Sequence, residues 1–408
     1  MALRGSGRYL KVLKGLSDMS NKILSMFLLA LTLSNLCTFA LPRGMQALVD
    51  ANNAFAFKLY SELKVAEGNT FFSPFSVSSA LSLLYEGARG ETAKEMRSAL
   101  GLPGDNEVRR NAFLELYQLL GKVKGLRIAN ALWVQKGYPL LKSYLELAEK
   151  YYQSEVANVD FKGDPEGSRL IINGWVEKRT EGKVKDLIPP SGVSELTKLV
   201  VTNAIYFKGR WLYEFNRSET SEGDFWISPG KSVKVPFMHL KASLPYAEVE
   251  EAKILELPYE GKELSMVFIL PKGDLRGLEG ELGADKLKGW LSSLRKAEVE
   301  VYLPKFKVSA GYALRKPLAE IGMPRAFGPK ADFSGITGRR DIFVDQVYHK
   351  AYVEVDEEGT EAAAATAAVV VAVSLPLVFR ADHPFLFLII HKPTGLILFM
   401  GRLVNPAK

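Results

Sequence analysis

The sequence predicts a single α+β domain, on three observations. Helical spacing prevails in the first half of the chain, strand-like runs prevail from Gly223 onward, and neither an internal repeat nor a long linker separates them. Helices and strands gathered into separate blocks favour an α+β layout over a doubly wound sheet. Length alone, at 408 residues, would also allow two or three smaller domains. With 47% hydrophobic and 24% charged residues the chain has the balance of a globular protein and ample material for a core.

Element by element, Leu48, Ala51, Phe55, Leu59 and Leu63 fall on one face of a helix over Ala47 to Leu63. Phe75 to Leu84 is a buried helix opened by Ser73-Pro74, with proline at a tolerated first-turn position. Glu91 to Leu100 is a further helix, stopped by Gly101 and Pro103, and Ser168 to Arg179 another, ended by Gly182. Ile128 to Val134 and Leu199 to Phe207 are apolar strands. Lys253 to Pro258, Ser265 to Leu270 and Glu298 to Pro304 follow, the last with clear alternation in Val299-Glu300-Val301-Tyr302-Leu303. Pro384 to Ile390 and Leu396 to Met400 flank the turn-forming Lys392-Pro393-Thr394-Gly395.

The formal charge of +7 is unevenly spread. Arg4, Arg8, Lys11, Lys14 and Lys22 against Asp18 give residues 1–40 a charge of +4, leaving +3 for residues 41–408. The basic excess therefore sits in a leader, and a nucleic-acid partner is not indicated. Residues 1–40 form a targeting segment: an apolar run from Ile23 to Leu36 behind Lys22, then Thr38-Phe39-Ala40 as a small-residue cleavage site, with Met19 as an alternative start. Cleavage predicts a secreted, extracellular protein; retention of the same stretch predicts a membrane anchor. The one cysteine, Cys37, lies in this segment, so a mature domain over 41–408 has no disulfide.

Ala362 to Phe379 runs for 18 residues without a charge. By length it is a borderline membrane span. Its alanines allow a helix, whereas Val369-Val370-Val371 prefers a strand. A segment open to loop, helix and strand alike is itself informative.

Enzyme chemistry is not indicated. His239, His349, His383 and His391 form no metal spacing with one another or with cysteine. There is no G-x-S-x-G elbow and no phosphate-binding loop. Asp382-His383 is expected in a strand, with the two side chains on opposite faces. Arg109-Arg110 and Lys122, Lys124 and Arg127 are expected on a solvated face, and Asn216-Arg217-Ser218 is a glycosylation sequon.

Five segments in order resemble one family. Glu357-Glu358-Gly359-Thr360-Glu361-Ala362-Ala363-Ala364-Ala365-Thr366 resembles the hinge of an inhibitory serpin. Asn69-Thr70-Phe71-Phe72-Ser73-Pro74-Phe75-Ser76 is similar to the family's early helix, Asn203-Ala204-Ile205-Tyr206-Phe207-Lys208-Gly209-Arg210-Trp211 to its central-sheet strand, and Val235-Pro236-Phe237-Met238-His239 to another strand. Ala381 to Phe387 with Thr394 to Arg402 resembles its C-terminal signature. The likeness covers Ala47 to Pro406. It implies one serpin domain over 41–408, with about nine helices, three β-sheets and an exposed reactive-centre loop near 357–380. It also implies a protease inhibitor without cofactor, monomeric, whose cleaved loop enters the central sheet while the target serine protease stays bound as an acyl-enzyme.

Thr360, Ala362, Ala364, Thr366, Ala368, Val370 and Ala372 share one strand face; all are small or uncharged, and Glu361 faces the other way. Val373 lies fourteen residues after Gly359, and the resemblance implies a scissile bond at that spacing, Val373–Ser374. A valine there suits a shallow aliphatic pocket, so elastase-like targets fit best and subtilisin-like ones next. Cleavage at Ala372 or Leu375 stays open, although Pro376 disfavours the latter. By resemblance, Ser73, Ser76, Asn203 and His349 match the shutter that lets the sheet part. Trp211 matches the breach where insertion starts, and Glu357 and Lys305 match positions that pair across the hinge. A non-inhibitory carrier, chaperone or storage serpin and a membrane-anchored surface protein are the alternatives.

Overall fold

Ser73 sets the start of the most deeply buried helix. Its Oγ accepts a hydrogen bond from the Ser76 amide at 3.1 Å, and Pro74, with no N–H to leave unpaired, opens α2 (Pro74–Gly87) after α1 (Arg43–Leu63). Every residue of α2 except Tyr85 is buried, as expected of a helix that, Glu86 apart, is apolar or small nearly all round. The computed structural model describes residues 41–64, 67–359 and 377–408. Gly44–Lys408 is one compact unit.

The early helices continue with α3 (Gly90–Leu100), ended by Gly101 at φ +65°, α4 (Asn106–Leu120), capped by Asp105, α5 (Lys142–Tyr152) and α6 (Pro165–Arg179), capped by Asp164. Four shorter helices come late: α7 (Leu275–Glu281), α8 (Ala284–Ser293), α9 (Arg315–Ile321) and α10 (Ser334–Thr337). The described residues thus hold ten α-helices, close to the expected number.

Five strands form one sheet in the order β10 (Phe306–Ala313), β11 (Gln346–Val355), β4 (Leu199–Phe207), β2 (Leu126–Gln135), β3 (Glu155–Val159). Nine strands form the other. Its path runs β1 (Thr70–Phe72), β14 (Leu396–Leu403), β13 (Phe385–His391), β8 (Leu264–Pro271), β7 (Ala252–Pro258), β6 (Lys231–Glu248), β9 (Arg295–Pro304), β12 (Leu377–Arg380), with β5 (Ser221–Ser228) also paired to β6. Two of the three expected sheets are joined because β6 is long enough to serve both: it pairs with β5 and β9 along its length and with β7 over its last residues. α2 packs against β14 of one sheet and β2 and β4 of the other, so it lies between them. On the five-stranded sheet, α6 packs against β2, burying Ile172 and Val176 with Trp133, Phe161 and Ile188.

Two local expectations are corrected. Arg109 is not solvated. It is fully buried, with Nη2 2.7 Å from Glu86 Oε1, while Arg110 reaches Glu86 Oε2 at 2.7 Å and Tyr152 donates to Oε1 at 2.9 Å. The charge is tolerated inside because its partner is buried with it and fully hydrogen-bonded. Lys122, Lys124 and Arg127 are exposed, as expected. Asp382 and His383 lie in the connection between β12 and β13, outside any ladder. No pleat separates their side chains, and His383 Nδ1 sits 2.9 Å from Asp382 Oδ1.

Candidate functional site

β11 and β4 lie side by side and parallel, in register from Gln346↔Val200 to Tyr352↔Tyr206. His349 therefore stands opposite Asn203, and Asn203 opposite Asn130 of β2. Their side chains meet beneath the sheet at the start of α2. The Ser73 amide donates to His349 Nε2 at 3.0 Å, which leaves the ring proton on Nδ1, donated to Asn203 Oδ1. Asn203 Nδ2 in turn donates to Ser76 Oγ and Asn130 Oδ1. Ser76 Oγ reaches Asn130 Oδ1 at 3.1 Å, and Asn130 Nδ2 donates to Ser79 Oγ at 2.7 Å and Tyr117 Oη at 3.2 Å.

All these groups are buried and uncharged. Burial pushes the His349 imidazole down to about 3, so it stays neutral. The structure brings Ser73, Ser76, Asn203 and His349 into one network. It adds Asn130, Ser79 and Tyr117, which sequence reasoning missed; the available signal was one asparagine in the apolar run Ile128 to Val134.

A second network, of opposite character, closes the end of the same sheet. Past Val355 the chain turns, with Asp356 and Gly359 exchanging backbone hydrogen bonds at 3.2 and 3.3 Å. Trp211 holds this turn through Nε1 to the Asp356 carbonyl at 3.0 Å and its amide to the Glu358 carbonyl at 3.2 Å, and the Phe215 amide bonds the Glu357 carbonyl at 2.9 Å. Buried Trp211 is stacked on Tyr259 with centroids 4.6 Å apart. Lys305 Nζ lies 2.6 Å from Glu357 Oε2, and Thr220 Oγ1 donates to Oε1 at 2.8 Å. Burial pushes the Glu357 carboxyl up, but Lys305 and its hydrogen bonds outweigh this and hold it below the usual range. Arg217 pairs with Glu358. Gly359 has φ +117°, and a Cβ there would meet the Gly209 carbonyl oxygen at 2.4 Å and the Trp211 nitrogen at 2.6 Å, so only glycine fits.

Thr360, Ala362, Ala363, Ala364, Ala365, Thr366, Val373 and Ser374 lie outside the described residues. Their flanks are Gly359 at one end and β12 at the other, where Leu377–Arg380 runs parallel to β9. Among the described residues no cluster of His, Cys, Asp or Glu could hold a metal ion, and no helix is long and apolar enough to cross a membrane.

A family model described as "Serpin (serine protease inhibitor)" matches residues 50–406. The chain belongs to the serpin family. This serpin is 42% identical to the leukocyte elastase inhibitor of Bos taurus over 89% of its own length and 100% of the other's. It is 46% identical to an uncharacterized serpin-like protein of Thermococcus kodakarensis, over 88% and 85% of the two chains. Among solved structures, human thyroxine-binding globulin complexed with thyroxine superposes with a TM-score of 0.82 at 32% identity, covering 89% of this chain and 99% of that one. Serpin48 of the insect Tenebrio molitor gives 0.80 at 35% identity, covering 88% and 98%. The fold is thus the serpin fold, and the protein is a serine protease inhibitor rather than an enzyme.

Proposed function

We propose that this serpin is a suicide substrate, cleaved at Val373–Ser374 by an elastase-like or subtilisin-like serine protease and trapping it by inserting the freed loop between β4 and β11. The observation that carries this reading is the parallel β4–β11 seam, with β11 leading straight into the hinge at Gly359. A segment that folds back after Gly359 runs antiparallel to β11. Because β4 is parallel to β11, that segment is antiparallel to both neighbours and can pair on both edges. Serpin loop insertion is itself a known instance of strand addition, so the mechanism is the family's.

In that assignment, the protease serine attacks the Val373 carbonyl, Ser374 leaves as the new amino terminus, and residues 360–373 remain attached to the acyl-enzyme. The inward-facing set from Thr360 to Ala372 is small or uncharged, so it can be buried. The elastase-like preference rests on Val373 and is supported by a relative named as a leukocyte elastase inhibitor. The same reading takes Ser73, Ser76, Asn203 and His349 as the shutter and Trp211 and Lys305 as the breach, with Glu357 in the hinge. It also takes the protein as a secreted monomer after loss of residues 1–40, which N-terminal sequencing of material from the medium and sedimentation would check.

The test mixes the purified chain with an elastase-like and a subtilisin-like protease and runs denaturing gels. A complex that survives boiling, with a fragment beginning at Ser374, is the expected result. Cleavage without a complex would sink the trapping mechanism and favour a carrier serpin, of which the thyroxine complex of the similar globulin is an example. Thr360→Arg places a charge on the inward face, at a cost of several kcal/mol. That variant should still be cut but form no complex.

A further inference from the structure

Both feet of the bait segment are described, Asp356–Gly359 at one end and β12 at the other. One imidazole joins the groups that hold them. His239 of β6 places Nδ1 2.6 Å from Glu219 Oε2 and Nε2 3.1 Å from Glu300 Oε1. Carboxylates only accept, so both contacts are hydrogen bonds when each ring nitrogen carries a proton.

On one side, Glu219 closes the 3-10 turn Arg217–Glu219. That turn also supplies Arg217 to Glu358, and the next residue, Thr220, donates to Glu357. On the other side, Glu300 of β9 accepts from Tyr302 Oη at 2.6 Å. The Tyr302 ring stacks on His239 at 4.8 Å and carries the Arg380 guanidinium 3.9 Å from its centroid. Arg380 closes β12, directly opposite Tyr302 in the ladder. Asn216 also donates to Glu219 at 3.0 Å, and Lys241 stands across from Glu300. The His239 contact holds the Glu219 carboxyl below its ordinary range; Tyr302 first, and then His239, do the same for Glu300.

We infer that His239 is a positioning residue that couples the two feet of the bait, holding the Arg217–Glu219 turn, and through it Glu357 and Glu358, against the strands that anchor Arg380. The inference rests on the insertion reading above. With His239 in place, the turn that grips the hinge is fastened to β9, and the seam beside the hinge opens only when this fastening yields. Without it, Glu219 and Glu300 lose the group that joins them, the turn is free to leave β9, and the grip on residues 357–358 slackens.

The experiment follows uptake of a synthetic peptide of residues 360–373 into the full, uncleaved chain, read as a mobility shift on native gels. His239→Gln and Glu219→Gln should each speed uptake about fivefold, the scale of a partly exposed ion pair. The double variant should be no faster than either single one, because both break the same link. Glu219 is exposed, so Glu219→Gln keeps the test open if His239→Gln folds poorly. Uptake at the wild-type rate in both single variants would overturn the coupling. So would a double variant roughly 25-fold faster, the product of independent effects, or no uptake by any version. The assay needs no protease. A chain that takes up peptide in a His239-dependent way yet forms no protease complex keeps this inference and loses the trapping mechanism. A chain that traps protease but shows no His239 dependence does the reverse.

Discussion

One network joins β4 to β11 beneath the sheet and another holds the residues that follow β11, and they hold by opposite means. Beneath the middle of the seam, Ser73, Ser76, Asn130, Asn203 and His349 are buried, neutral and linked only by hydrogen bonds. At its end, Lys305 with Glu357 and Arg217 with Glu358 are ion pairs with one partner partly or largely exposed. A buried neutral network is costly to break because each orphaned group loses its partner where water cannot replace it. A half-exposed ion pair yields more easily, since water and salt compete for both charges. The sheet is therefore firm at its middle and releasable at the end from which β11 leads to Gly359.

The largest expected effect tests the firm side. Asn203→Ala leaves His349 Nδ1, Ser76 and Asn130 short of partners and should cost about 3–4 kcal/mol. The readout is the denaturant midpoint; a loss under half of that would mean that water fills the gap and the network is less dry than its burial implies.

Acid comes next. His349 is depressed to about 3 and His391 to about 4, both by burial. The unfolded chain takes up these protons near pH 6.5, before the folded one does. Their contribution is thus fully present above about pH 6.5 and is lost as pH falls through the folded values. Between pH 7 and pH 4.5 each histidine should remove of order 2 kcal/mol. His391→Gln should flatten the fall in stability over that window; an unchanged slope would remove His391 from the account.

Reversing the charge at the releasable end should do less to stability and more to assembly. Glu357→Lys sets two ammonium groups together and should cost about 1–2 kcal/mol, after allowing for the exposure of Lys305. It should also promote loop–sheet polymers on warming, seen by native gels. A variant that stays monomeric would mean that the pair does not restrain the seam.

The smallest effect is that of salt. Raising salt from about 0.1 to 1 M shortens the screening length from roughly 10 to 3 Å. Peptide uptake should quicken by about twofold in the wild type, the scale of a weak surface pair. Lys305→Met should lose part of that dependence, and an identical salt slope in both would place the restraint elsewhere.

What the sequence disclosed divides along similar lines. Local signals were legible: Ser73-Pro74 opens α2, Gly101 closes α3, and Val299 to Leu303 alternates in β9 as the residues suggest. The gathering of Ser76, Asn203 and His349 was legible only through family resemblance, because 127 and 146 residues separate the members that touch. What escaped depended on distant partners. Arg109 looks like a surface residue until Glu86, 23 residues away, is folded against it. Asn130 is hidden by the apolar run around it. The joining of two sheets through β6 follows from pairings with β7 and β9 that no local pattern announces.

The depth of the β4–β11 seam also sets a distance. Its register spans seven paired residues, and at about 3.3 Å per residue that is a track of roughly 23 Å. On the insertion reading this length is a stroke: cargo fixed to the loop's far end is carried that far and more along the sheet. Each residue removed from the bait shortens its reach by about 3.3 Å, so loop length becomes the gearing of the device, adjustable without touching the bond the protease cuts.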